Sequence, residues 1–238
     1  MLLPLLLATV IAAAPTSSPG LAAPTTQQAP LREVVYRASF TRRQSLAVGH
    51  FGAVPPDAWG HQTGDHGTIT VDVMAVGLNA LGIKLIESWS VSGKNVTFLG
   101  NVAPDGTVNF GDQELSDCSR DLLPFFAPLI ANAQDLAPGI SWVQKYNDKA
   151  VDITTTYSVS KIDGPVATIG EQRKLEVHSA LGMSGDLDGW VTYKPSKLVP
   201  IAGRLSDIQR RSTASSEDTI QTTITFERVS DSLDKETR

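Results

Sequence analysis

One cysteine, Cys118, stands in a chain of 238 residues, so no disulfide can form within it and the fold must rest on its core. A lone thiol of this kind is either buried and inert or offered to a partner. Positive charge is scarce as well: 20 Lys and Arg against 25 Asp and Glu leave a net charge of −5 and a pI near 5.3. That balance, with no basic stripe interleaved with aromatics to offset it, excludes nucleic acid as a partner. The doublets Arg42-Arg43 and Arg210-Arg211 read as solvated strand or loop edges. Phosphate-cradling glycine loops and dinucleotide fingerprints are missing too, together with the parallel strand-helix-strand context they require.

A long apolar run opens the chain, where Leu2-Leu3-Pro4-Leu5-Leu6-Leu7 continues to Ala14. It is too short to cross a bilayer comfortably as a permanent helix, and Gly20 and Ala22 supply the small residues that a signal peptidase reads. Residues 1–22 therefore read as an export signal. Residues 23–31 read as a disordered spacer, within a charge-free tract of Pro, Thr, Ser, Gln and Ala from Pro15 to Pro30. The expected location is periplasmic or extracellular. The roughly two hundred residues that remain suffice for one β-rich domain with a sizeable core.

Along that domain the dominant period is two. Ile69, Val71 and Val73 alternate with Thr68, Thr70 and Asp72, the pattern of a strand with one face on a core and one in water. Ile83, Leu85, Trp89 and Val91 share a face, and Val96 and Phe98 begin a further strand after the turn Ser92-Gly93-Lys94. Pro104-Asp105-Gly106 turns the chain into a return strand at Val108 and Phe110. Val151 to Val159 alternates up to a turn at Asp163-Gly164-Pro165, and Val166 to Val177 runs back with Gly170 as a candidate bulge. Trp190 to Tyr193, Leu198 to Arg211, and the line Ile220, Thr222, Ile224, Phe226 complete a meander of antiparallel hairpins.

One segment breaks the period. Leu122, Phe125, Phe126, Leu129, Ile130 and Ala133 fall on one helical stripe, with Ser116-Asp117 or Ser119 as its start cap. Pro124 is tolerable in a first turn, whereas Pro128 bends or splits the helix. Ala137-Pro138-Gly139 ends it. The domain 32–230 thus divides into β halves 32–115 and 141–230 joined by a helical connector 116–140, with 231–238 a charged tail. The expected class is α+β, mostly antiparallel β, a curved sheet or half-barrel around one central bent or broken helix.

Several antiparallel strands, a greasy central helix and more strands behind an export signal resemble the LolA-like lipid-carrier proteins. In those half-barrels a curved sheet wraps a helical plug and holds acyl chains. The stretch Pro138-Gly139-Ile140-Ser141-Trp142 is also similar to the Gly-x-x-Trp opening of a second β segment in exported bacterial β-rich proteins. The resemblance implies a movable plug and an apolar ligand, and it transfers no individual functional residue. From the residues themselves, Phe125, Phe126, Leu129, Trp89 and Trp142 are the candidates for lining a ligand site, with Trp190 a further core or pocket residue.

Catalytic constellations fare poorly. His61, Asp65 and His66, with His50 nearby, lie among glycines and read as a polar loop rather than a metal site. Ser158-Val159-Ser160-Lys161 matches Ser-x-x-Lys, but on a strand an odd step puts the two groups on opposite faces. Gly182-Met183-Ser184-Gly185-Asp186 misses the nucleophile elbow at its last position. Asn95-Val96-Thr97 is a glycosylation sequon, read as a chance match at a strand start. No catalytic residue, metal or cofactor is expected. The chain reads as an exported non-enzymatic binding protein for a lipid or other apolar ligand. The alternative is a structural or protein-interaction module that meets another envelope protein and takes no small molecule.

Overall fold

The computed structural model describes residues 29–48, 60–76, 81–102, 108–111, 113, 115–123, 136–147, 150–178, 182–194, 199–213 and 216–234. The leader, most of the spacer, the Pro104-Asp105-Gly106 turn and the helical stripe from Phe125 to Ala133 lie outside them.

Strands β1 (Arg32–Val48), β2 (His61–Ala75), β3 (Leu81–Trp89), β4 (Asn95–Val102) and β5 (Val108–Asn109) form a first meander. Helix α1 (Asp117–Leu122) follows. Strands β6 (Ser141–Asn147), β7 (Val151–Asp163), β8 (Val166–Val177), β9 (Met183–Lys194), β10 (Val199–Ser212) and β11 (Ser216–Asp231) form a second, and a 3-10 turn, Ser232–Asp234, ends the described chain. All strands belong to one open antiparallel sheet, in the order β5-β4-β3-β2-β1-β11-β10-β9-β8-β7-β6. With one short helix among the described residues, the protein is more nearly all-β than α+β.

The meanders meet at a seam that the sequence reading did not anticipate. β1 pairs with β11 from Val34↔Asp231 to Val48↔Ser216, and its other edge pairs with β2. Val34, Tyr36 and Ala38 are buried in alternation and Phe40 follows half-buried, but Arg42 and Gln44, the next residues of that face, are exposed and end the period. Asp231, expected to open a solvated tail, is instead the buried last residue of β11. Its carboxylate accepts from Arg32 Nη2 at 2.6 Å and Nε at 3.1 Å, and from Arg228 Nη1 at 3.2 Å. Paired guanidiniums of this kind make a buried carboxylate tolerable.

The register sorts one face of the sheet into rows. Val159, Ile169, Val191, Gly203, Phe226, Ala38, Gly67 and Trp89 lie opposite one another from β7 across to β3. A parallel row reads Thr155, Arg173, Leu187, Asp207, Thr222, Arg42 and Thr63. The face is therefore apolar toward one end of the strands and polar toward the other. The core belongs to the apolar end, where Tyr36, Tyr193, Ile69, Leu85, Ile169, Leu205 and Ile224 are fully buried.

Turn chemistry follows the sequence. Gly164 has φ +55 at the first central position of the Asp163↔Val166 hairpin and Pro165 takes the second, as a II′ turn requires. The bulge expected at Gly170 sits on the partner strand, between Val159 and Lys161. Gly67 and Gly189 permit close strand approach: a Cβ at Gly67 would lie 1.9 Å from the Ser88 carbonyl oxygen, and one at Gly189 would lie 2.2 Å from that of Arg204. A Cβ at Gly170 would press only on the Ser158 hydroxyl, at 3.1 Å, with the Gly189 and Ser158 carbonyl oxygens at an ordinary 3.8 Å. Gly189→Ala is therefore expected to cost about 2 kcal/mol or more, because backbone must move, and Gly170→Ala less than about 1 kcal/mol. Urea unfolding midpoints of the two variants check this; equal losses would contradict it.

Candidate functional site

The densest buried polar chemistry lies where α1 meets the sheet. Ser116 caps α1, with extended φ −62° and ψ 158°, and its hydroxyl accepts from Ser119 N–H. The same hydroxyl donates to Glu87 Oε1 at 2.8 Å, and the Ser119 hydroxyl donates to that oxygen as well. Trp89 Nε1 donates to Glu87 Oε2 at 2.8 Å. Glu87 is completely buried on β3, so these donors replace its hydration.

Beyond the first turn of α1, Asp121 is buried and accepts from Arg173 Nη2 of β8 at 2.8 Å. Glu171 on β8 and Asp207 on β10 share this environment, Asp207 accepting from Gln209 Nε2 at 2.7 Å. Three carboxyl groups thus surround one guanidinium. Burial pushes Glu171 up to about 7, opposed by Arg173 and reinforced by Asp121. Burial also raises Asp207, against its Gln209 bond and Arg173. Tyr157 is raised by burial and then by Glu171. Cys118, on α1 between these clusters, is buried, and its thiol is raised well above the usual range by burial and by Asp117, Asp121 and Glu87. Such a thiol is a poor nucleophile.

The sequence-predicted ligand residues separate. Trp89 is buried and meets Phe40 edge-to-face at 5.4 Å across the gap left by Gly67. Trp142, at the far edge on β6, stacks on Tyr157 at 5.4 Å. Phe125, Phe126 and Leu129 lie outside the described residues. Trp190 is 43% exposed, because its parity on β9 points it to the opposite face from Val191 and Tyr193. Two buried donors on the α1 side, Trp142 Nε1 and Tyr193 Oη, have no hydrogen-bond partner among the described residues. An open groove of about 350 Å³ lies on β6 and β7, lined by Gln144, Lys145, Tyr146, Ile153 and Thr155.

The histidine-rich stretch is not a loop: His61, Asp65 and His66 are on β2. His66 has the opposite parity to the other two. Asp65 accepts from Val91 N and Ser92 N at 2.8 and 3.0 Å and from the Ser92 hydroxyl at 2.7 Å, tying down the β3–β4 turn. Desolvation would raise its pKa, but these bonds, with one from His66 N–H, hold it well below the usual carboxylate range. Among the described residues no group of three His, Cys, Asp or Glu converges as metal ligands would. Ser158 and Lys161 face the same side after all, since the bulge between them shifts the parity, and Lys161 Nζ pairs with Asp163 at 2.9 Å.

Sequence reasoning missed Glu87, Asp121, Glu171, Arg173 and Asp207. Their signal was present: Glu87 occupies the apolar slot between Leu85 and Trp89, and Glu171 and Arg173 extend the alternation of Ala167 and Ile169. A charge in a core slot marks a buried polar contact. Set against known proteins, the chain matches no family model, and no curated protein matches it significantly.

Two outcomes follow from this geometry. Ser119→Ala removes a donor from buried Glu87 and is expected to cost about 1–3 kcal/mol in urea unfolding; an unchanged midpoint would contradict the anchor. Because the Glu171 pKa is raised on folding, from about 4.5 to about 7, the folded state binds more protons in that window. Stability should therefore fall as pH rises from 4.5 to 7 and level off above it. Below about pH 4 the opposite sign applies, as Asp65 and Asp231, both held low, take up protons and their contribution is lost. Urea midpoints at pH 5 and pH 8 measure the upper limb, and Glu171→Gln should flatten it.

Proposed function

We propose that this protein is an exported, non-enzymatic binding protein that holds a lipid or other apolar ligand on the α1-bearing face of a curled, half-barrel sheet. The observation that carries the reading is that one six-residue helix bonds to both flanks of that sheet, through Glu87 on β3 and Arg173 on β8. Strands β2, β1, β11, β10 and β9 lie between those flanks. Laid flat they would put β3 and β8 about 29 Å apart, whereas the helix is about 9 Å long. A sheet rolled around α1 accounts for both contacts, and this is the architecture of the LolA-like carriers.

The graded face suits an amphiphile. Acyl groups would lie along the row of Val159, Ile169, Val191 and Phe226, and a polar head toward Thr155, Arg173, Asp207 and Arg42. Trp142 Nε1 and Tyr193 Oη offer unsatisfied donors to ligand oxygens. Anchors made of hydrogen bonds and one ion pair also suit a helix that must let go, since water can replace them as it enters. A second reading, an envelope interaction module without a small molecule, draws on the fullness of the apolar end, where Tyr36, Leu85, Leu205 and Ile224 are completely buried.

Native mass spectrometry of the protein exported by its own host, before and after organic extraction, decides between them. The expected result is a stoichiometric apolar species that extraction removes. A bare polypeptide mass in both spectra would overturn the carrier reading in favour of the module.

A further inference from the structure

The two edges of the sheet are treated differently. At the β5 edge the outer strand is only Val108–Asn109, and the Gln113 side chain acts as a peptide surrogate beside it. Its Nε2 donates to Leu99 O at 2.9 Å and to Phe110 O at 2.7 Å, and its Oε1 accepts from Leu99 N at 3.3 Å. At the other edge, β6 pairs only with β7 among the described strands. Ile140 O accepts from Val159 N, and the register then alternates through Trp142↔Tyr157, Gln144↔Thr155 and Tyr146↔Ile153. In an antiparallel ladder those residues spend their backbone groups on β7, and the ones between them point theirs away. Ser141, Val143, Lys145 and Asn147 thus present N–H and C=O groups along an open edge. The strand Ser141-Trp-Val-Gln-Lys-Tyr-Asn147 contains no proline, and Lys145 is its only charge. Natural sheets seldom leave so long an edge so lightly protected.

We propose that this edge pairs with β6 of a second copy of the chain, antiparallel about a two-fold axis through Gln144. The argument is the self-complementarity of that register. The open residues pair as Val143 with Lys145 and Ser141 with Asn147 of the other copy, each twice, giving about eight backbone hydrogen bonds. Lys145 meets Val143 rather than another Lys145, so no like charges oppose. On the α1 side Trp142 faces Tyr146, an aromatic cross-strand pair formed twice, and Gln144 faces Gln144. A shift of the axis by two positions along the strand, onto Trp142 or Tyr146, leaves a single aromatic pair, Trp142 with Trp142 or Tyr146 with Tyr146, in place of two. The occupied Leu99 and the short β5 disfavour pairing of β6 with the opposite edge, so the assembly closes as a dimer rather than growing as a filament. The axis also brings the two grooves lined by Gln144, Tyr146, Ile153 and Thr155 side by side.

Sedimentation velocity over a range of concentrations, combined with cross-linking, tests the register. The wild-type chain is expected to show a monomer–dimer equilibrium. Val143→Lys places like charges opposite Lys145 twice and should weaken dimerisation about tenfold or more, while Val143→Glu creates two opposite-charge pairs and should tighten it about threefold to tenfold. Both substitutions are at an exposed position whose backbone groups β7 does not use, so the monomer fold survives them. In a Cys118→Ser background, Gln144→Cys should form an intermolecular disulfide, because a directly opposed pair that exchanges no backbone bonds has Cα atoms about 4.5 Å apart. Lys145→Cys, displaced from its own copy by two positions, should form it far more slowly. A monomer at all concentrations would overturn the proposal. So would a dimer insensitive to charge at residue 143, or equal cross-linking of the two cysteine variants.

Discussion

The structure depends on the pairing of the first described strand with the last. Each meander alone would be a sheet with β1 or β11 as a bare edge, and only the seam makes them one sheet. The partners are separated by nearly the whole domain, as Val34 opposite Asp231 shows. Closing so long a loop costs only slowly more entropy than closing a short one, so the seam is thermodynamically affordable although kinetically late. Arg32 and Asp231 fasten its end with a bidentate contact that fixes register as well as adding attraction.

The second constraint is the polarity of the face beneath α1. Burying Glu87, Asp121 and Glu171 is unfavourable unless each finds donors, a counter-charge or a proton. Glu87 takes hydroxyl and indole donors, Asp121 takes Arg173, and Glu171 is buried deeply enough that desolvation outweighs the attraction of Arg173, which is why its proton is retained toward neutrality. These solutions share a geometric consequence. They hold a short helix at one height and one rotation on the sheet, which apolar packing alone would specify less sharply. Serine supplies the economy of the arrangement, since the Ser116 hydroxyl caps the helix and anchors it through one oxygen.

Much of the architecture was legible in the sequence. The alternations at Ile69–Val73, Val151–Val159 and Ile220–Phe226, the Asp163-Gly164-Pro165 turn and the Ser116 cap all appear where simple periods and turn chemistry place them. Strand β1 escaped because the alternation of Val34, Tyr36, Ala38 and Phe40 stops midway, and Arg42 and Gln44, next on that face, are polar and exposed. The seam escaped because local pattern carries no information about which distant edges join. The bulge near Val159 escaped because it requires no glycine, and it reversed the expected facing of Ser158 and Lys161. Of the candidate site, Trp89 and Trp142 lie on the core side of the sheet, one on β3 and the other on the far edge strand β6. The carboxyl groups that organise that face were read as surface residues, since charge is the ordinary mark of solvent.

The seam also imposes an order in time on a chain made from its N-terminus. Strand β1 leaves the ribosome early and can form a hairpin with β2 as soon as that strand follows, yet its second edge has no native partner until β11, the last of the described strands, has been synthesised. Through most of translation the nascent protein carries an aligned, apolar, half-satisfied strand, the template on which a neighbouring nascent chain would add. The fold therefore places its demand for a chaperone, or for passage in an unfolded state, on the interval before its final sixteen-residue strand appears.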